Sequence, residues 1–233
     1  MEAGKGLIGG TTDQKPTGGG MMLASLRGRV IVARGALSVS SPSIQIMVMP
    51  LPVPRLTIDL LDDFPDDGTR YELLDGMLLV TPAPSYAHQV VATRLATMLA
   101  DALEPDTTAE VVAVGAIQRG KYTQLQPDVL VCPPGVGPTL HWRDIRGWWL
   151  AVEVLSPSSR LYDREVKRGA YLALGVEEYW VVDPGDCSVE IWNREHPEGA
   201  RVTDELVWRP AALDRAVVID LRRVFRGVCD EGA

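Results

Sequence analysis

The chain has 233 residues, 46% hydrophobic and 23% charged, with a formal net charge of -8, enough apolar material for one core of ordinary size. Residues 1 to 50 hold five Lys/Arg against two acids, so the remainder carries 18 basic against 29 acidic groups, 18 - 29 = -11, and a field of that sign excludes a broad basic footprint for nucleic acid. No apolar run reaches the roughly 18 residues of a membrane span, and Cys132, Cys187 and Cys229 form no CxxC pair, which argues against a disulfide framework or zinc site and for a reducing, cytoplasmic setting.

Residues 1 to 50 contain nine of the 22 glycines and no aromatic residue, the texture of a disordered extension. Met47 and Met49 offer a later start, which would make the first stretch spurious. Residues 30 to 36 are broken by Arg34 and Gly35, so no secretory signal is expected. One α/β domain is expected over 51–233, its body running from Arg55 to Arg226.

A short helical signal at 56–61 is followed by strands at 71–74 and 77–80, joined by Asp75-Gly76, the strongest short hairpin signal. Ser85 caps a helix with apolar positions Val90, Val91, Leu95, Met98, Leu99 and Leu103. Strands are predicted at 111–117, 128–132 and 148–155. Asp163 reads as the N-cap of a helix through Leu174, closed by Gly175. Strands at 178–183 and 188–192 flank Pro184-Gly185-Asp186, and short strands follow near Leu206 and Val217. No internal repeat is present.

Two carboxylates stand out. Asp128 opens an apolar strand and Glu153 interrupts one, and a lone buried carboxylate is costly without a partner. Two such acids from neighbouring strands suit Mg²⁺ or Mn²⁺, which prefer oxygen ligands and retain water. The alternative is a structural salt bridge from Glu153 to Lys167 or an arginine, and the residues alone leave both open. Asp163, Lys167 and Tyr171 are spaced i, i+4, i+8 and share a helix face. Lys167 is one of four lysines in a chain with 19 arginines, and an ammonium there can orient water or offset charge on a scissile phosphate.

The blocks Tyr71-Glu72-Leu73-Leu74-Asp75-Gly76, Pro82-Ala83-Pro84-Ser85 with His88-Gln89, Pro127-Asp128-Val129, residues 152–159, Asp163 with Lys167 and Tyr171, and residues 175–183 together resemble the Uma2 family. That family is described as restriction-endonuclease-like, with the PD-(D/E)XK fold. The resemblance covers roughly residues 56–192. It implies a core of a helix, three strands, a helix and a strand, with an added N-terminal hairpin and C-terminal strands. It makes Asp128 and Glu153 catalytic metal ligands. The lysine usual two residues after the second acid is replaced by Leu155, so its role passes to Lys167. Glu72 becomes a further metal ligand, where the strand alone would allow an outward-facing carboxylate, and His88 is either a substrate phosphate contact or a capping or surface residue at its helix start. A homodimer is also raised, since nucleases of this fold often pair to cut both strands.

Ser156, Ser158 and Ser159 form a turn whose hydroxyls and N–H groups suit a phosphate oxygen. A serine hydrolase is disfavoured without a GxSxG elbow. Trp148-Trp149 and Tyr179-Trp180 read as core, and His141 and His196 as surface groups. The expected function is a Mg²⁺-dependent endonuclease acting on DNA. The competitor is a catalytically inactive nuclease-fold binding or interaction module, and a phosphatase or nucleotide hydrolase lacks any P-loop.

Overall fold

Asp75 and Gly76 both take positive φ, 51° and 82°, as two-residue hairpin turns require. They join β1 (Arg70–Leu74) to β2 (Met77–Thr81), with Arg70 opposite Thr81 and Leu74 opposite Met77. β1 begins at Arg70, one residue before the predicted start. The computed structural model describes residues 54–104, 109–135, 140–157 and 159–229. The expected extension over 1–50 and Ser158 lie outside the described residues.

The strand predicted over 111–117 divides in two. β3 (Glu110–Ala113) ends at Val114, which has φ 56°, and Gly115 then passes so close to Leu130 that a Cβ would lie 2.9 Å from its Cδ2. That turn sends the chain into a second sheet, where β4 (Ile117–Arg119) and β5 (Thr123–Leu125) continue the hairpin in the order β2-β1-β5-β4.

The larger sheet has the order β10-β9-β8-β7-β6-β3, formed with β6 (Val129–Cys132), β7 (Leu150–Val154), β8 (Glu178–Asp183), β9 (Ser188–Asn193) and β10 (Ala200–Val202). β7 and β8 are parallel and are joined by a helical crossover. This runs through α2 (Arg160–Tyr162), a π-helical turn (Asp163–Lys167) and α3 (Arg168–Leu174), closed by Gly175 at φ 95°. Asp163 is therefore not an N-cap. Ser156 and Ser159 exchange backbone-to-hydroxyl hydrogen bonds at 3.2 Å and the helical run starts four residues earlier, with Ser159 as its N-cap, which leaves Asp163 inside it and buried.

α1 (Tyr86–Leu103) begins at Ser85, whose Oγ accepts from His88 N at 3.3 Å. Its buried stripe of His88, Val91, Ala92, Leu95, Leu99 and Leu103 follows helical spacing. β7 alternates between two cores. Leu150, Val152 and Val154 join α1, β11 (Glu205–Trp208), β12 (Val217–Asp220) and α4 (Leu221–Phe225) on one side, while Ala151 and Leu155 join Tyr171, Leu174 and Tyr179 on the other. Trp148, Trp149, Tyr179 and Trp180 are buried, and Trp180 meets Trp208 edge-on at 5.7 Å.

The side chains of Cys187 and Cys229 are brought together, with Cα atoms 6.2 Å apart, a contact for which their separation of 42 residues gave no spacing signal. Among the described residues no helix is long and apolar enough to cross a membrane.

At Gly76 a Cβ would meet Arg55 Cβ at 2.6 Å, in a backbone with φ 82°. Gly76→Ala is expected to lower the unfolding free energy by about 1–3 kcal/mol through strain and contact, measured by urea denaturation.

Candidate functional site

Val129 pairs with Val152 in antiparallel register, so Asp128 and Glu153 stand beside each other across β6 and β7. β1 adds Arg70 and Glu72, two residues apart and hence on one face. The helical crossover adds Asp163, Lys167 and Tyr171, and α1 adds His88. Glu72, Asp128, Glu153, Asp163 and Lys167 are each at most 3% exposed, so none keeps its charge through hydration.

Contacts replace the lost water. Lys167 Nζ lies 2.7 Å from Glu72 Oε2, 3.0 Å from Glu153 Oε1 and 3.7 Å from Asp163 Oδ1. The Tyr171 hydroxyl donates to the same Glu153 Oε1 at 2.7 Å, and Gln126 N donates to Glu72 Oε1 at 2.6 Å. Asp128 Oδ2 accepts from Val154 N at 2.8 Å and faces His88 Nε2 at 3.0 Å. Arg70 lies between the two strand acids, with Nη2 2.7 Å from Asp128 Oδ1 and Nη1 3.8 Å from Glu153 Oε2.

These contacts divide the acids. Burial pushes the Asp128 carboxyl up, but the His88 hydrogen bond, Arg70 and the Val154 N–H outweigh it and hold it at about 2. Burial raises Glu153 well above the ordinary carboxyl range, with Asp163, Asp128 and Glu72 adding to the effect and Lys167 opposing it. Asp163 is also raised, first by burial. Burial works against the Lys167 ammonium, yet Glu153, Glu72 and Asp163 raise its proton affinity well above normal, and it remains a cation.

Four carboxylates against the two cations Arg70 and Lys167 leave a formal 2 - 4 = -2, a surplus that protons or a divalent ion can neutralise. Asp163 Oδ1 and His88 Nδ1 are buried without a hydrogen-bond partner. The acids supply only oxygen, the donor type that Mg²⁺ and Mn²⁺ prefer, but among the described residues no group of three or more Asp, Glu, His or Cys could hold a metal ion, so an ion here would rest on the Asp128 and Glu153 pair and on water. A cleft of about 240 Å³ opens on the cluster, its walls including Arg70, His88, Asp128, Glu153, Asp163 and Lys167.

Of the residues singled out from sequence, Asp128, Glu153, Lys167 and Glu72 are thus brought together. Ser156 reaches the cleft wall, its hydroxyl 2.9 Å from that of Ser159. His88 is 6% exposed and turned onto Asp128, while His141 and His196 are exposed. Leu155 shares the Glu153 side of β7 but joins the apolar cluster that includes Tyr171, and the ammonium enters from the crossover instead.

Arg70 was missed, although its i, i+2 relation to Glu72 was a usable strand signal. His88 also carried one: it precedes Val91 by three residues and Leu95 by seven, which continues the buried stripe.

A model of the Uma2 family, described as "Putative restriction endonuclease", matches residues 58–227. The chain belongs to the Uma2 family. The match extends past residue 192 and takes in the C-terminal strands and α4. A solved structure from Anabaena variabilis ATCC 29413, described as "a putative nuclease belonging to DUF820", is 16% identical with a TM-score of 0.58, covering 73% of this chain and 97% of that one. At that identity the likeness concerns the fold. No curated protein matches this Uma2 chain.

Lys167→Met leaves Glu72, Glu153 and Asp163 without their shared cation, and a loss of about 3–5 kcal/mol is expected. Glu153→Gln is expected to cost far less, because Lys167 keeps Glu72 at 2.7 Å. Denaturant titrations of both variants in EDTA check the order.

The pH response has two parts. Glu153 and Asp163, raised on folding, contribute stability that is full below the unfolded carboxyl value of about 4 and is lost as pH rises through their folded values. Asp128, depressed on folding to about 2, contributes stability above about 4 that is lost as pH falls toward its folded value. The wild-type melting temperature in EDTA should therefore rise from about pH 7.5 to about pH 5, and Glu153→Gln should shrink that rise.

Proposed function

We propose that the protein is a divalent-metal-dependent endonuclease that hydrolyses phosphodiester bonds of DNA. The observation that carries this is the in-register pair Asp128 and Glu153 at a cleft, with the Lys167 ammonium 3.0 Å from Glu153. Asp128 and Glu153 would hold Mg²⁺ or Mn²⁺, with Glu72, whose oxygens already take Lys167 and the Gln126 N–H, behind them. Such an ion, when bound, supplies Lewis-acid activation of a phosphate and of an attacking water.

The chain's own groups do the rest. Val154 N–H and His88 fix the rotamer of Asp128, and Tyr171 and Lys167 fix that of Glu153. Lys167, kept protonated by the surrounding acids, offsets charge developing on the scissile phosphate and is not a proton acceptor. Ser156 on the cleft wall, followed by Ser158, is suited to a phosphate oxygen. His88 acts on Asp128 more directly than on substrate.

A nuclease-fold module that binds without cutting is favoured by one observation: Arg70 and Lys167 already pair with the acids. The two are separated by incubating plasmid and single-stranded DNA with wild type and Asp128→Asn in Mn²⁺ or EDTA. Wild type is expected to cut in Mn²⁺ at least about 100-fold faster than the variant. Mn²⁺ should also raise the melting temperature of wild type alone. Intact DNA together with an unmoved melting temperature would overturn the metal-dependent nuclease reading.

A further inference from the structure

Each strand acid in the site has one oxygen committed to internal donors. Asp128 Oδ2 takes Val154 N at 2.8 Å and His88 Nε2 at 3.0 Å. Glu153 Oε1 takes Lys167 Nζ at 3.0 Å and the Tyr171 hydroxyl at 2.7 Å. The other two oxygens, Asp128 Oδ1 and Glu153 Oε2, face Arg70 at 2.7 Å and 3.8 Å. An ion held by the same two carboxylates would compete with Arg70 for those oxygens.

We propose that Arg70 is the resident cation of the metal position, displaced when a divalent ion binds and thereby freed to grip a substrate phosphate in the cleft; this rests on the metal-dependent nuclease reading above.

Three features suit Arg70 to this exchange. Its side chain is 15% exposed against 3% for Lys167, so it lies at the cleft side of the cluster with Lys167 at the back. Its hold is uneven: one short ion pair to Asp128, a long one to Glu153, and a single neutral acceptor, the Gln126 carbonyl at 2.9 Å. It is also the first residue of β1, preceded by Thr69 and by Gly68 at φ 81°, both on the cleft wall. A guanidinium released there stays tethered at the cleft, and its planar fork matches a phosphate as an ammonium does not.

The exchange couples the two ligands. Metal binding must break the Arg70 pairs, so wild type binds the ion more weakly than a chain without them. A phosphate that takes up the freed guanidinium strengthens metal binding, and the metal strengthens phosphate binding by the same factor.

The test titrates Mn²⁺ by electron paramagnetic resonance into wild type and Arg70→Gln without DNA, and follows phenylglyoxal labelling of Arg70 in the wild-type protein by mass spectrometry. Arg70→Gln is expected to bind Mn²⁺ about tenfold more tightly, within the usual range of coupling between sites. Mn²⁺ should speed labelling of Arg70 in wild type, and a short DNA duplex added with Mn²⁺ should slow it again. The labelling needs no variant, so it decides the matter even where Arg70→Gln fails to fold. Wild type that binds Mn²⁺ with labelling unchanged, or a folded variant of equal or weaker affinity, overturns the role of Arg70 and leaves the metal site standing. Labelling that the duplex does not slow removes the phosphate grip. An absence of Mn²⁺ binding in both proteins overturns the metal reading and this proposal together.

Discussion

One ammonium group, Lys167 Nζ, is shared by three acids that arrive on separate elements: Glu72 from β1, Glu153 from β7 and Asp163 from the π turn. Burial at this depth makes each partner expensive alone. Together they tie the small sheet, the large sheet and the crossover helix to a single point. The arrangement differs from an apolar contact in being selective. A shifted register or a rotated helix would leave a charge unpaired, whereas a leucine in its place would merely repack.

The same constraint prepares the site chemically. Because the Val154 N–H, His88, Tyr171 and Lys167 hold one oxygen of Asp128 and one of Glu153, the remaining two face Arg70. Preorganisation of this kind removes the cost of reorienting ligands when charge arrives. Its electrostatic consequence is asymmetric: Asp128 stays ionised to about 2, while Glu153 is raised. Two adjacent carboxylates thus hold protons very differently, the condition under which acid and base roles separate in one site.

The π turn contributes geometry. An α-helix advances about 100° per residue, so each i, i+4 step overshoots a full turn by about 40°. The wider i→i+5 turn over Asp163–Lys167 takes up part of that drift. Asp163, Lys167 and Tyr171 consequently line up toward Glu153 and its surroundings. On the other side, the tight Asp75-Gly76 turn sets which residues of β1 face inward, and it brings Arg70 and Glu72 to the site as a pair.

Local rules in the sequence were sufficient for the hairpin, α1, β8, the buried tryptophans and the Gly175 helix stop, because each is governed by neighbouring residues: positive φ at a turn, an N-cap, an apolar run, a left-handed glycine. The acids also announced themselves, since Glu153 is polar within an otherwise apolar strand and Lys167 shares a helix face with Asp163. The family blocks joined them before any fold was known. What the sequence left open was pairing across space. Whether Glu153 meets a cation or a metal, whether His88 faces solvent or Asp128, and whether Cys187 finds Cys229 all depend on contacts between residues far apart in the chain. The split of the 111–117 strand belongs with these, since it follows from Gly115 meeting Leu130 in a neighbouring strand. Arg70 shows the limit most clearly. Its sequence context identifies it as the residue before Tyr71 and two before Glu72, but only the folding of β1 against β6 and β7 sets its guanidinium between Asp128 and Glu153, because ion pairing in a buried site is decided by distances that no local pattern encodes.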